Sequence, residues 1–235
     1  MDVFLCLGFF ILLGNAVIAH KIVLDYTNCI SKNHAIFING IENSVKSSDP
    51  LEVDIIHLDL PGFEYILKNA KLTGLKDCAV TKLRINKEEL TFEYNLECKK
   101  IEANGQYKLK GRFGDTYVEG EGNVTVTTGL YIIKFRGNSE KIVHDDKMVY
   151  SHIKNFQLDF DAKENLKFNF TNLYGGDKKK SDAFHKLINE NWRFTDKELR
   201  SAVLTKFMDV FIDHLNDYLK VWPIAKVFPT KCVQK

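Results

Sequence analysis

A surplus of charge is missing from this chain: 33 Lys and Arg residues are balanced by 31 Asp and Glu, leaving +2. Proteins that hold nucleic acid through its phosphates need a basic excess or stripe, so nucleic acid is excluded as the main partner. Catalytic signatures are missing too. Gly-x-Ser-x-Gly, His-Glu-x-x-His and the Walker Gly-Lys-Ser/Thr are all absent, which removes the usual nucleophile-elbow, zincin and P-loop chemistries. Nothing in the sequence calls for a cofactor or a metal. There is no internal repeat and no low-complexity segment. After the first segment no stretch is apolar and long enough to span a bilayer, so stable membrane insertion is not expected.

That first segment is apolar from Val3 to Ile18 and ends in Val17-Ile-Ala19, an acceptable cleavage site. It is short for a membrane anchor and reads as a secretory signal over residues 1–19, although Asp2 stands where a basic residue is usual. The mature chain then covers 20–235 as one domain, secreted and extracellular. Cys29, Cys78, Cys98 and Cys232 remain, an even count that suggests disulfides in an oxidising compartment. Cys78 and Cys98 flank a hairpin centred near Lys87-Glu88 and form the favoured pair, leaving Cys29 with Cys232. The best apolar register sets Ala79, Thr81, Leu83 and Ile85 beside Leu96, Tyr94, Phe92 and Leu90. That register puts Cys98 opposite Asp77, so the pairing requires a bulge. Asn123-Val-Thr125 and Asn169-Phe-Thr171 are glycosylation sequons.

The stretch that organises the rest runs from Asn172 to Trp222. Gly175-Gly176 stops a strand, Asp177 caps a helix, and Ala183, Phe184, Leu187, Ile188 and Trp192 recur at helical spacing. Thr195 and Glu198 match a capping box, with Phe194 and Leu199 as its staple. The spacing therefore predicts a bend there, followed by a second helix ended by Trp222-Pro223. Its apolar face is Leu199, Ala202, Val203, Phe207, Val210, Phe211, Leu215, Tyr218 and Leu219. Lys197, Arg200, Lys206, Asp209, Asp213 and Asp217 lie opposite.

Upstream, Asn28 caps a helix with Ile30, His34, Phe37, Ile38, Ile41 and Val45 on one face. The period then changes to alternation. Val53, Ile55, Leu58 and Leu60 make a first strand; 63–72 fits helix or strand; and further strands follow to Leu166, Phe168 and Phe170. Gly120 and Gly122 suit a sheet that bends sharply. The fold class is α+β: an N-terminal helix, about seven long strands, and a highly curved antiparallel sheet wrapped around the long C-terminal helix. The inward parity is rich in rings: Phe92, Tyr94, Tyr107, Phe113, Tyr131, Phe135, Phe156, Phe160, Phe168 and Phe170. They face Phe207, Phe211 and Tyr218 and make a bulky interior that could leave an apolar channel. Met148, Tyr150 and His152 share a face that offers polar contacts.

These residues also carry a family resemblance. Leu67-Lys-Asn-Ala-Lys-Leu-Thr-Gly-Leu75, Gly105-Gln-Tyr-Lys-Leu-Lys-Gly111, Gly120-Glu-Gly122 and above all Asn172-Leu-Tyr-Gly-Gly-Asp177, continuing to Asn189-Glu-Asn-Trp192, resemble the takeout and juvenile-hormone-binding protein family. Its members are secreted insect carriers with a tubular lipid-binding fold. They usually carry a close cysteine pair at the mature N-terminus, where Cys29 here has no near partner. The resemblance implies a carrier of juvenile hormone, another terpenoid, a fatty acyl chain or a quinone-like lipid. The ligand-lining candidates are then Phe92, Tyr94, Tyr131, Phe135, Tyr150, Phe156, Phe160, Phe168, Phe170, Phe207 and Phe211. The other class open to the chain is an extracellular interaction protein with a packed interior and a receptor or partner on its surface. His144-Asp-Asp146 reads as an exposed turn, and Lys178-Lys-Lys180 as a solubilising run.

Overall fold

Among the described residues nine strands, rather than about seven, follow the first helix. The computed structural model describes residues 32–86 and 89–227, without the side chains of 32–38 and 201–202. The signal segment, Asn28, Cys29, Ile30 and Cys232 lie outside the described residues. Helix α1 (Lys32–Ser47) leads into β1 (Leu51–Leu60), β2 (Phe63–Thr73), β3 (Ala79–Asn86), β4 (Thr91–Cys98), β5 (Glu102–Phe113), β6 (Thr116–Thr128), β7 (Tyr131–Val143), β8 (Val149–Ala162) and β9 (Leu166–Phe170). Helices α2 (Lys178–Glu190), α3 (Trp192–Leu219) and α4 (Ile224–Val227) complete the order. The strands divide into two antiparallel sheets, β1-β2-β5-β6-β9 and β3-β4-β7-β8. Helix α3 touches both edges of the five-stranded sheet, β1 and β9, and also β8 of the other. One helix can reach both edges of a sheet only if that sheet curls around it, so the α+β expectation of strands wrapped on a C-terminal helix holds.

The ambiguous stretch 63–72 is strand β2, because its residues pair with β1 on one side and β5 on the other. In β1 the inward set is Leu51, Val53, Ile56 and Leu58, while Ile55 is 46% exposed. The expected Val53–Ile55 alternation therefore breaks at Ile56. The Cys78–Cys98 disulfide is formed, with the two Cα atoms 4.3 Å apart. A bulge makes it possible: pairing runs Ile85↔Phe92 and Arg84↔Glu93, then shifts to Thr81↔Asn95, Val80↔Leu96 and Ala79↔Glu97. Lys82 takes the left-handed turn of the bulge, at φ 55. Val80 and Leu83 rather than Ala79 and Thr81 are consequently the buried residues of β3.

In the C-terminal part Asp177 caps α2, its carboxylate accepting the Lys180 N–H at 3.1 Å, and Gly175 and Gly176 take positive φ before it. The expected capping box does not form. The joint falls at Asn191, and Thr195 lies inside α3, buried, its hydroxyl within reach of the Ile188 carbonyl (3.0 Å) and the Asn191 carbonyl (3.3 Å). Phe194 is 48% exposed and leans on Phe113 instead of stapling the helix to Leu199. The buried stripe of α3 is Leu204, Phe207, Met208, Phe211, Ile212, Leu215 and Leu219. It is rotated from the expected face, and Leu199, Val203 and Val210 are only partly buried at its margin.

Edge strands carry backbone groups that no neighbouring strand satisfies. At three buried edge residues, Ile153, Phe168 and Phe170, helix side chains satisfy them. Asn216 of α3 accepts the Ile153 N–H (2.8 Å) and donates to the Ile153 carbonyl (3.2 Å) on β8. Asn189 of α2 does the same for Phe168 on β9, at 2.7 and 2.9 Å, and His185 Nε2 accepts the Phe170 N–H at 2.9 Å. Two residues before Asn216 on α3, the Ser48 hydroxyl lies 3.1 Å from His214 Nδ1 and ties the end of α1 to the helix.

Two outcomes follow for stability. Asn216→Leu strands two buried backbone groups and should cost about 1–3 kcal/mol for each, whereas Asp217→Ala, losing only an exposed pair with Lys220, should stay within about 0.5 kcal/mol; urea denaturation compares them. Replacing both Cys78 and Cys98 by Ser should lose on the order of 3 kcal/mol, from the loop the bridge closes; an unchanged urea midpoint would show that the bridge constrains nothing.

Candidate functional site

Between the five-stranded sheet and the first half of α3 the interior is not filled. A cavity of about 70 Å³ lies there. Its walls are Tyr65, Leu67, Leu72, Ile101, Ala103, Val124, Val126, Leu166, Phe168 and Phe170 on the sheet side, with Leu199, Val203 and Leu204 on the helix. Thr128, Tyr131, Asp196 and Arg200 complete it. One buried water needs roughly 10–15 Å³, so the space has the volume of several waters, and its wall is mostly apolar.

The polar wall has one arrangement. Tyr131 Oη donates to Asp196 Oδ1 at 3.2 Å. Arg200 pairs with Asp196 Oδ2 one helical turn away and donates through Nη1 to the Phe160 carbonyl at 3.0 Å. Its guanidinium stands 6.0 Å from the Tyr131 ring centre and 5.7 Å from that of Phe160. Thr128 Oγ1 accepts the Ile101 N–H (3.1 Å) and donates to the Gly129 carbonyl (2.8 Å), which satisfies it. Burial pushes the Tyr131 hydroxyl pKa far up, and the negative charge of Asp196 adds to the rise. Burial does the same to Tyr65, helped by Tyr107. For Arg200 burial works against the charge, but the hydrogen bond to Asp196 and the nearby Tyr131 and Asp159 outweigh it, so the guanidinium is held charged. The cavity thus offers apolar contact along most of its wall and hydrogen-bonding groups at one place.

The eleven expected lining residues separate into four groups. Tyr131, Phe168 and Phe170 wall the cavity. Tyr94, Phe135, Phe207 and Phe211 are buried in close packing beyond it, with Tyr94 stacked on Phe135 at 4.4 Å, Phe135 against Phe211 at 5.7 Å and the half-buried Phe92 against Tyr94 at 6.0 Å. Phe156 and Phe160 are half-buried in a shallow outer groove between β8 and α3. Tyr150 stands elsewhere: its hydroxyl donates to Asp146 at 2.6 Å and its ring lies 4.4 Å from His144. Asp196 and Arg200 were missed by sequence reasoning, which set the first in a cap and the second on the wet face. The signal that could have found them is an acidic and a basic residue four apart on a helix, one turn from Leu199 and Val203.

Three of the segments that carry the family resemblance meet at one spot. Tyr107 donates to the Thr171 carbonyl at 2.6 Å, Asn172 Nδ2 donates to the Glu121 carbonyl at 3.0 Å, and Gly120 bridges Leu173. A Cβ at Gly122 would stand 2.6 Å from the Thr171 carbonyl oxygen. Close approach of residues 171–173 therefore requires the glycines, which were expected to serve curvature. Asn123 and Asn169 are both exposed, on the adjoining strands β6 and β9. Among the described residues no group of His, Cys, Asp or Glu could hold a metal ion, and no helix is long and apolar enough to cross a membrane.

A helix held in a curled antiparallel sheet, with an apolar cavity beneath it, defines the structural class. Residues 25–229 match the family of haemolymph juvenile hormone binding proteins, and the chain belongs to that family. Its structure is similar to the crystal structure of Takeout 1 from Epiphyas postvittana, with a TM-score of 0.76 and 22% identity, over 82% of this chain and 94% of that one. A lipopolysaccharide binding protein is matched with a TM-score of only 0.38 and 7% identity, over 78% of this chain and 36% of that one. No curated protein sequence matches the chain.

The buried hydroxyls set an alkaline limit. Tyr107 is pushed to about 12 by burial and by Glu121, and Tyr65, Tyr94 and Tyr131 are also raised, chiefly by burial. Each prefers its neutral form in the folded protein. Their contribution to stability is complete below about pH 10, the pKa of an unfolded tyrosine, and is lost as pH rises above it. Tyrosinate absorbance should therefore rise in a late cooperative step that coincides with loss of far-UV dichroism. A gradual rise in a protein that stays folded would show these hydroxyls to be open to water.

Proposed function

We propose that the protein is a secreted carrier that buries one elongated apolar small molecule between the five-stranded sheet and α3. The observation that carries this reading is the apolar cavity under α3, in a chain that belongs to a family of hormone-binding proteins. Burial drives such binding at about 25 cal/mol per Å² of apolar area. The ligand class is a terpenoid such as juvenile hormone, a fatty acyl chain or a quinone-like lipid. Sites for drug-sized molecules run to about 300–1,000 Å³, well beyond the cavity as it stands. Taking up a whole ligand requires the half-buried Leu199 and Val203 to move aside with the rings next to them. The close packing of Phe135, Phe207 and Phe211 favours a second reading, an extracellular protein whose surface meets a partner or receptor.

The two halves of the interior provide the test. Phe211→Ala opens a hole in close packing and should cost about 3–5 kcal/mol. Phe168→Ala should cost less than that, because its ring already borders empty space, and should weaken binding of a fluorescent lipid probe. Val203→Trp should fill the cavity and reduce affinity for long chains more than for short ones. Chemical denaturation and probe titration measure all three. Wild-type protein that carries no lipid in native mass spectrometry, and binds no fatty acid, terpenoid or lipid probe, would leave the surface-interaction reading in its place.

A further inference from the structure

At one place the cavity and the outer surface share a side chain. Arg200 lines the cavity and also the groove outside it, between β8 and α3. Its side chain is 20% exposed, while that of Asp196, its ion-pair partner, is only 4% exposed. Beside it, Tyr131 lines the cavity and Phe160 the groove, with ring centres 6.4 Å apart. The groove has a volume of about 580 Å³. Phe156, Leu158 and Phe160 form its β8 wall and are only half-buried, whereas Ile153 on the same strand is buried. Lys197, Thr205 and Asp209 stand on the α3 side.

The seams around the cavity differ in how firmly they are closed. Three hydrogen bonds tie β9 to α2 within three residues, through Asn189 at Phe168 and His185 at Phe170. Strands β2, β5, β6 and β9 form one continuous ladder. On another flank α3 packs on β1, whose Leu51, Ile56 and Leu58 are buried. Between β8 and α3 the bonds lie at two points far apart: Asn216 makes two at Ile153, and Arg200 makes one at the Phe160 carbonyl. Among the described residues no hydrogen bond or ion pair joins strand to helix between these points. The Phe160 N–H is taken by Asp159 of its own strand, at 3.0 Å. Parting β9 from α2 would strand buried backbone groups, which is costly. Release of Arg200 strands nothing, because water in the groove can serve the Phe160 carbonyl. Asp196 lies on the same helix as Arg200, so their ion pair survives the release.

Resting on the carrier reading, we infer that the β8–α3 seam is the doorway by which the apolar ligand enters and leaves the cavity, with Arg200 as its latch. The ligand chain lies first along Phe156, Leu158 and Phe160, which give it apolar contact before the interior opens. Release of Arg200 from the Phe160 carbonyl joins the groove to the cavity, and the same bond closes the seam again. A latch is closed in the free and the loaded protein alike. It therefore sets the rates of entry and exit and not the affinity.

Stopped-flow fluorescence with N-phenyl-1-naphthylamine and the full secreted protein tests the doorway. Thr205 lines the groove and not the cavity, so Thr205→Cys, modified with benzylmaleimide after folding, puts a ring in the groove alone. Wild type treated in the same way corrects for the chain's own cysteines. The label should slow association and dissociation of the probe together, by about fivefold or more, and leave the affinity unchanged. Arg200→Lys keeps the charge beside Asp196 and gives up the bond to Phe160. Both rates should then rise by about fivefold, the rate equivalent of one hydrogen bond. Phe194→Trp, at the exposed α2–α3 joint, should alter neither rate. Unchanged rates after labelling overturn the doorway, and slowing by Phe194→Trp in its place would put entry at the joint. An Arg200→Lys effect confined to dissociation makes Arg200 a ligand contact and overturns the latch. If that variant does not fold, the labelled protein decides alone. A wild type that does not bind the probe refutes the carrier reading, and the doorway with it.

Discussion

The architecture depends on how the free edges of two sheets are satisfied beneath helices. Among the described residues, strands β8 and β9 each have a strand neighbour on one side only, and both lie against helices, so the buried Ile153 and Phe168 carry backbone groups that water cannot serve. A helix has no backbone donors to spare for them. Two asparagines solve the problem, because a carboxamide presents a donor and an acceptor in the same arrangement as a peptide group. Asn216 pairs with Ile153, and Asn189 with Phe168. Each amide acts as one residue of an additional strand carried on a helix. The sheet edges are thereby held against α2 and α3, and the curled sheet needs no closing strand.

This accounts for the uneven interior. The end of α3 that carries Asn216 is also the end where Phe207, Phe211 and Leu215 are buried and where Phe135 packs against Phe211. The other end, beyond Leu204, is bordered by half-buried aliphatic residues and the Asp196–Arg200 pair. Tyr131 joins the two regions. It pairs across the strands with Cys98, which is bonded to Cys78, and its hydroxyl holds Asp196. The disulfide is therefore linked by one strand pairing to the polar wall of the cavity.

Much of this was legible in the sequence wherever one period ruled a segment. Leu166, Phe168 and Phe170 alternate with Lys167 and Asn169, and all three are buried. Asp177 after Gly175-Gly176 is a local capping signal, and local geometry decides it. The Thr195–Glu198 box is an equally good local signal, but tertiary contact overrode it: the buried Thr195 hydroxyl is used by the end of α2. Lys82 illustrates a different failure. A bulge shifts every later pairing by one residue, yet a single extra residue leaves no periodic trace, so only the cysteines hinted at it. Arg200 was read as solvated because long basic side chains usually are. Its burial depends on Phe160 and Asp196, partners that a one-dimensional pattern cannot bring together. The lining rings were equally indistinct, since core and cavity share one inward parity and differ only in what stands opposite.

The joint at Asn191 and the clamp at Asn216 give α3 a mechanical character. It is a single rod of 28 residues, gripped firmly near one end, with the cavity beneath the other. At about 1.5 Å of rise per residue, Arg200 lies roughly 24 Å along the rod from Asn216. A tilt of about 5° around that grip would lift the Arg200 end by about 2 Å, enough to change the space beneath it by the thickness of a methylene group while the packed end stays as it is. A long arm would thus turn a small angular change at the grip into a spacing change that a chain of carbon atoms can use, without a hinge inside the helix.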